Sequence, residues 1–162
     1  MSTSGLLMWQ VSVVSTTWPS ANDPVAIPFR LSAPAVVDQL GIQHGTSAGG
    51  NFDLGVYDAA WTRLVSTGST GAVTNSVWQW VNVTDTALSA LKTYYLVGVR
   101  DNVTANRQRA YGISGSAIGV NLAGVQDSAT DAFPLPDPLT NMAGAAVAAV
   151  LPLMAVAMRA PF

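Results

Sequence analysis

At 162 residues, with 10% of them charged and 49% apolar, the chain is long enough for one domain with a sizeable core, and it is poor in charge for the surface such a domain exposes. A formal charge of -2 offers no basic stripe to attract nucleic acid, so no nucleic-acid partner is expected, and the absence of cysteine excludes disulfides and thiolate metal sites. All nine acidic residues are Asp and Lys92 is the single lysine, a bias toward turns and strands over helices.

Met1–Ser4 lacks the basic segment of a secretory signal and leads into an alternating strand, so synthesis in the cytosol is expected. Trp9, Val11 and Val13 alternate with Met8, Gln10 and Ser12, and the two prolines of 18–24 break that strand. Val25, Ile27, Phe29 and Leu31 form a second alternation. Pro28 inside it cannot donate to a ladder, which places the strand at a sheet edge or a bulge. A further strand spans Val36–Gln43, with Leu40 and Ile42 inward, and the run 44–50 is a flexible turn.

The clearest element is the hairpin that follows. Phe52, Leu54 and Val56 share one face of a strand, Asp58 starts an Asx-type turn, and Arg63–Thr67 returns. Beyond a polar loop, Trp78 and Trp80 lie on one strand face, opposite Val77, Gln79, Val81 and Val83. Asp85–Ser89 reads as one helical turn capped by Asp85. The unbroken apolar run after Thr93 suits a strand covered on both faces. The stretch 110–120 suggests short strands around Tyr111 and Ile118. Phe133–Pro138 is stiff and extended, 143–149 reads as a loop or helical turn, and Leu151–Arg159 as a closing strand.

Met142–Met158 carries no charge, which sits at the lower length limit for a membrane span. Pro152 and the many alanines argue against one, so no membrane partner is expected. The whole predicts an all-β fold: a single antiparallel β-sandwich of jelly-roll type over 1–162, with an N-terminal strand and arm over 1–24 and an extended apolar C-terminal segment over 133–162. So much apolar surface on so few charges leads to the expectation that copies of the chain, or a larger assembly, cover part of it.

The order of "PFRL" at Pro28–Leu31, "LGIQHGTSAGGNFDLGVYD" at Leu40–Asp58, "RLVSTGST" at Arg63–Thr70, "YYLVGVRDN" at Tyr94–Asn102 and "LPLMAVAMR" at Leu151–Arg159 resembles a β-sandwich module of tailed-phage virion proteins, found in head decoration and tail-fibre or baseplate settings. The resemblance implies a non-enzymatic structural protein without cofactors. Its first form is a capsid decoration (cement) protein, a homotrimer on the outer head surface bound to the major capsid protein. The alternative is a tail-fibre or baseplate module that binds host glycans.

Among candidate residues, Trp78 and Trp80 suit a subunit or capsid interface, as do Trp61, Arg107, Arg109, Phe133, Leu135 and Phe162. Trp61, Trp78 and Trp80 also suit stacking on sugars. Arg107 and Arg109 read as a loop pair for a neighbour's carboxylates or as solvated charges. His44, the single histidine, lacks an acid partner at recognisable spacing and reads as an ordinary loop or interface residue. Asp53 is expected to pair across its strand or lie at a contact. Calcium through Asp101 and Asn102 is weighed, but no loop has a dense ligand spacing.

Overall fold

The computed structural model describes residues 13–18, 20–104, 106–111, 124–126, 132–140, 142, 146–148 and 150–161. No helix occurs among them, and the strands are β1 (Val13–Thr17), β2 (Val25–Arg30), β3 (Ala35–Gln43), β4 (Asn51–Asp58), β5 (Arg63–Ser66), β6 (Thr70–Gly71), β7 (Trp78–Leu88), β8 (Thr93–Arg100), β9 (Asn106–Tyr111), β10 (Gly124–Gln126), β11 (Ala146–Ala148), β12 (Val150–Pro152) and β13 (Met154–Arg159). Every pairing is antiparallel. The main sheet runs β11-β10-β2-β8-β4-β5, with β6 also on β4, and a second sheet runs β13-β3-β7. A third small sheet, β1-β9-β12, completes the set.

The alternation in β4 positions the core. Phe52, Leu54 and Val56 turn toward the second sheet and pack with Leu40, Ile42, Val37 and Leu96, a two-layer all-β sandwich as expected. The other face of the same strands is not open to water. Tyr57 of β4, Val97 and Val99 of β8 and Ala26 of β2 are covered by Ala132, Leu135, Leu139 and Met142. The segment 132–142 is therefore a strap across the back of the main sheet, and β8 is covered on both faces, as its unbroken apolar run predicts.

Polar contacts hold the strap. The Leu135 N–H donates to Asp53 at 3.0 Å, the Tyr57 hydroxyl to the Pro136 carbonyl at 2.5 Å, and the Leu139 N–H to the Trp61 carbonyl at 3.0 Å. The Arg63 guanidinium donates to the Leu135 carbonyl, and the Arg63 N–H to Asp137 at 3.0 Å. The apolar C-terminal part thus finds much of its cover within its own chain.

Several local expectations are corrected. Asp85–Leu88 is not a helical turn but the end of β7, because Thr86, Ala87 and Leu88 pair with Val37, Val36 and Ala35 and Leu88 is buried. Tertiary pairing overrides the capping signal there, and Asp85 instead meets Arg159. Ala146–Ala148 is a strand where a loop or helical turn is expected, and the closing strand is two pieces parted at Leu153. Arg107 and Arg109 lie in β9, between β1 and β12, not in a loop. β2 is not an edge strand but lies between β10 and β8, and Pro28 stands beyond Ala26, the last residue paired to β10. Residues 1–12, Ile118 and Phe162 lie outside the described residues. No helix among the described residues is long and apolar enough to cross a membrane.

Leu135 is the strap's central anchor, 1% exposed. Leu135→Ala is expected to cost about 2–5 kcal/mol in urea unfolding while leaving one cooperative transition. A separate early transition would show instead that the strap folds independently of the sandwich.

Candidate functional site

The outer face of the β13-β3-β7 sheet carries the site, and its register lays it out row by row. Trp78 stands opposite Gln43, Trp80 opposite Gly41 and Asn82 opposite Gln39. The in-between residues Leu40, Ile42, Val81 and Val83 pack into the sandwich, so the period of two turns both indoles outward. Trp78 is 36% and Trp80 44% exposed, large fractions for the largest apolar side chain. Their rings stack on each other at 5.6 Å between centroids and 18° between planes.

Gly41 makes room for this arrangement. A Cβ at that position would lie 2.7–2.8 Å from three ring carbons of Trp80, so the indole reaches over the β3 backbone where any other residue would push it off. Beside the indoles, Gln39 Nε2 donates to Asn82 Oδ1 at 2.7 Å. The small Ala155 and Ala157 of β13 continue the face beyond Gly41 and Gln39. The first charged side chains past Asn82 are Asp38, Asp85 and Arg159, and they are paired among themselves.

Under the indoles a buried polar chain pins the start of β7. Arg100, fully buried at the end of β8, donates from Nη2 to His44 Nδ1 at 2.7 Å, and His44 Nε2 lies 2.7 Å from Gln79 Oε1. A guanidinium can only donate, so Nδ1 is the acceptor and Nε2 carries the proton. Gln79 accepts that proton and also the Val73 N–H, and its own amide donates to the Gly71 carbonyl. The His44 N–H donates to the Val77 carbonyl at 3.0 Å. Gln79, between the two tryptophans in sequence, is thus held from inside.

Burial lowers the His44 pKa, Arg100 lowers it further, and the Gln79 hydrogen bond acts the other way. Burial also brings the Arg100 guanidinium down to about 10, against the raising effect of Asp101, with its charge 6.0 Å from the Trp18 ring centre. His44, one residue past the end of β3, is therefore not an accessible base, since it is fully buried with both ring nitrogens engaged. Burial raises the Asp53 pKa above its ordinary value, outweighing the hydrogen bonds from Leu135 and Thr67. Asp53 holds the strap.

The remaining candidates fall in separate places. Trp61 stacks on Tyr95 at 4.1 Å on the strap side of the main sheet, away from Trp78 and Trp80, so the three tryptophans form no single surface. It takes a left-handed backbone conformation, φ 62°, in the turn where Asp58 Oδ1 accepts from the Ala60 and Thr62 N–H groups, the expected Asx-type turn. Leu135 is core, and Phe133 packs half-buried beside it, so both side chains are engaged within the chain rather than offered to a neighbour. Asp101 is engaged by Asn51, which donates from its backbone and its amide at 2.9 and 2.8 Å, and by Asn102 at 2.6 Å. Those bonds tie the start of β4 to the end of β8. No group of three or more His, Cys, Asp or Glu suited to a metal occurs among the described residues. An open depression lined by Asp58, Leu64, Lys92 and Tyr94 sets one lysine near a carboxylate already engaged in its turn.

Neither a protein-family model nor any curated protein matches the chain. The amides and Gly41 escape sequence reasoning because their relation to the tryptophans depends on cross-strand register. The alternation of 78–83 does signal which residues share a face.

Two outcomes follow. Unfolded chains protonate at the ordinary imidazole value of 6.5 while folded His44 resists, so stability rises with pH through that range and falls below it. Urea midpoints should show this slope in the native chain and lose it in His44→Gln; equal slopes would refute the assignment. Gly41→Ala should swing the exposed Trp80 ring aside, abolishing the exciton signal of the indole pair in circular dichroism with a change in stability under about 1.5 kcal/mol.

Proposed function

We propose that the chain is a non-catalytic structural module of a tailed-phage virion, displayed on the particle surface, and that the outer face of β13-β3-β7 is its contact surface. The observation that carries this is the stacked Trp78–Trp80 pair, held in solvent on a sheet whose other face already supplies the core. A sandwich does not need two exposed indoles to fold, whereas large aromatics on a rigid face dominate binding energetics. The resemblance of its strand motifs supports the virion setting and the jelly-roll form of the sandwich.

In its first form the module decorates the head. Copies, arranged as homotrimers, bed this face on major capsid subunits and add interface area against internal pressure, which needs complementary surface and no bond chemistry. The charge-poor surface and exposed Val73, Val77 and Leu91 support association of this kind. A second form, a receptor-binding module on the tail, is favoured by the uncharged amides beside the indoles.

The experiment is co-sedimentation of the purified chain with phage particles and with emptied heads. Native protein should pellet with one of them, and Trp78→Ala/Trp80→Ala should weaken the association at least about ten-fold. Pelleting unaffected by the double variant would remove this face from the proposal.

A further inference from the structure

The unassigned chemistry of the tryptophan face lies in its amides. Gln39 and Asn82 share one hydrogen bond, from Gln39 Nε2 to Asn82 Oδ1. Among the described residues, neither side chain makes another, so Gln39 Oε1 and the Asn82 NH2 keep unused hydrogen-bonding capacity beside Trp80. The two amide ends are interchangeable in such a pair, but turning both leaves the same result: one carbonyl oxygen and one NH2 side by side. An adjacent acceptor and donor match two neighbouring hydroxyl groups, each of which can donate and accept. Gln43, next to Trp78 across the strands, adds a third amide with no described hydrogen bond.

The indoles supply the complementary half. The C–H face of a pyranose is apolar while its rim is hydroxylated, so it needs an aromatic surface and amides at its edge at once. This face has Trp78 and Trp80 in one column of the grid, with Gln43 opposite the first indole and the Gln39–Asn82 pair one row beyond the second. Charge narrows the class further. No ionised group lies in the rows from Gln43–Trp78 to Gln39–Asn82, and beyond them the one guanidinium of Arg159 is shared by the two carboxylates of Asp38 and Asp85. Within those rows an anionic glycan would find no cation and a basic peptide no carboxylate.

We infer that the Trp78–Trp80 face with Gln39, Gln43 and Asn82 is a binding site for a neutral oligosaccharide, its sugar rings stacked on the indoles and vicinal hydroxyls paired to the amides. The inference rests on the reading of this face as a contact surface and replaces a capsid subunit by a glycan as its occupant. Gly41 serves the site as a positioning residue, since it lets Trp80 lie where the ligand needs it.

The test is calorimetric titration of the full chain with a panel of neutral oligosaccharides of glucose, galactose, mannose and N-acetylglucosamine, with hexagalacturonate as the anionic control. Alongside it, co-sedimentation with phage heads is measured on the same preparations. Binding of at least one neutral oligosaccharide is expected, weakened at least about ten-fold in Trp80→Ala and about three- to ten-fold in Asn82→Ala. Gly41→Ala, which retains every contacting side chain, should lose affinity while its thermal midpoint shifts by no more than about 6 °C. Circular dichroism of each variant separates loss of the site from loss of the fold. If the chain pellets with heads through its tryptophans and binds no sugar, the glycan assignment fails and the contact-surface reading stands. If it binds neither, both fail. Equal binding of hexagalacturonate would overturn the neutral-ligand class.

Discussion

The main sheet has no solvent face through its centre, and most of the molecule follows from that constraint. β4 and β8 are covered on one side by the β13-β3-β7 sheet and on the other by the strap 132–142. Two-sided burial requires apolar residues at consecutive positions, which is why Leu96, Val97 and Val99 all lie inside. It also accounts for part of the low charge. A chain that covers its central sheet twice has fewer positions left for ionised groups than an ordinary sandwich.

Such a sheet must also satisfy the polar groups it traps. Asp53 faces the strap and receives the Leu135 N–H and the Thr67 hydroxyl, so a buried carboxyl becomes the fastener of the second cover. Arg100 emerges at the end of β8 under the second sheet, with no carboxylate in ion-pair contact among the described residues. Its hydrogen-bond acceptors are instead neutral His44 and the Gly49 carbonyl, with the Trp18 ring 6.0 Å away and Asp101 acting on it only through space. Burying a cation on neutral partners is unfavourable in isolation and is sustained only when surrounding structure fixes the acceptors. Here the fixed acceptor is His44, itself fixed by Gln79. The cost of housing Arg100 therefore links to the position of β7.

Local periodicity made the sandwich legible. The hairpin from Asn51 to Ser66 and the two-faced β8 are written in residue spacing alone, and so is the sharing of one face by Trp78 and Trp80. What spacing could not decide was which face of β7 looks outward, because both carry large apolar side chains. The strap was equally hidden. Its contacts join Asp53 to Leu135 and Tyr57 to Pro136 across some 80 residues, and no short-range pattern encodes such a contact. The same distance effect hid the role of Ala132, Leu135, Leu139 and Met142, which cover the back of their own sheet. The burial of His44 was hidden too, because Arg100, its partner, lies 56 positions away.

The tryptophan face gains its character from what lies beneath it. Gln79 points inward between two outward indoles, and its hydrogen bonds to His44, Val73 and Gly71 fix that stretch of strand from the core side. Gly41 fixes where Trp80 can lie from the neighbouring strand. Side chains ordered before a ligand arrives avoid an ordering cost of about 0.5–1.5 kcal/mol each on binding. An exposed apolar patch needs no such order to exist. This one has stacked rings, a hydrogen-bonded amide pair and a strand locked by a buried cation, so its order is inherited from the same two-sided burial that organises the rest of the chain.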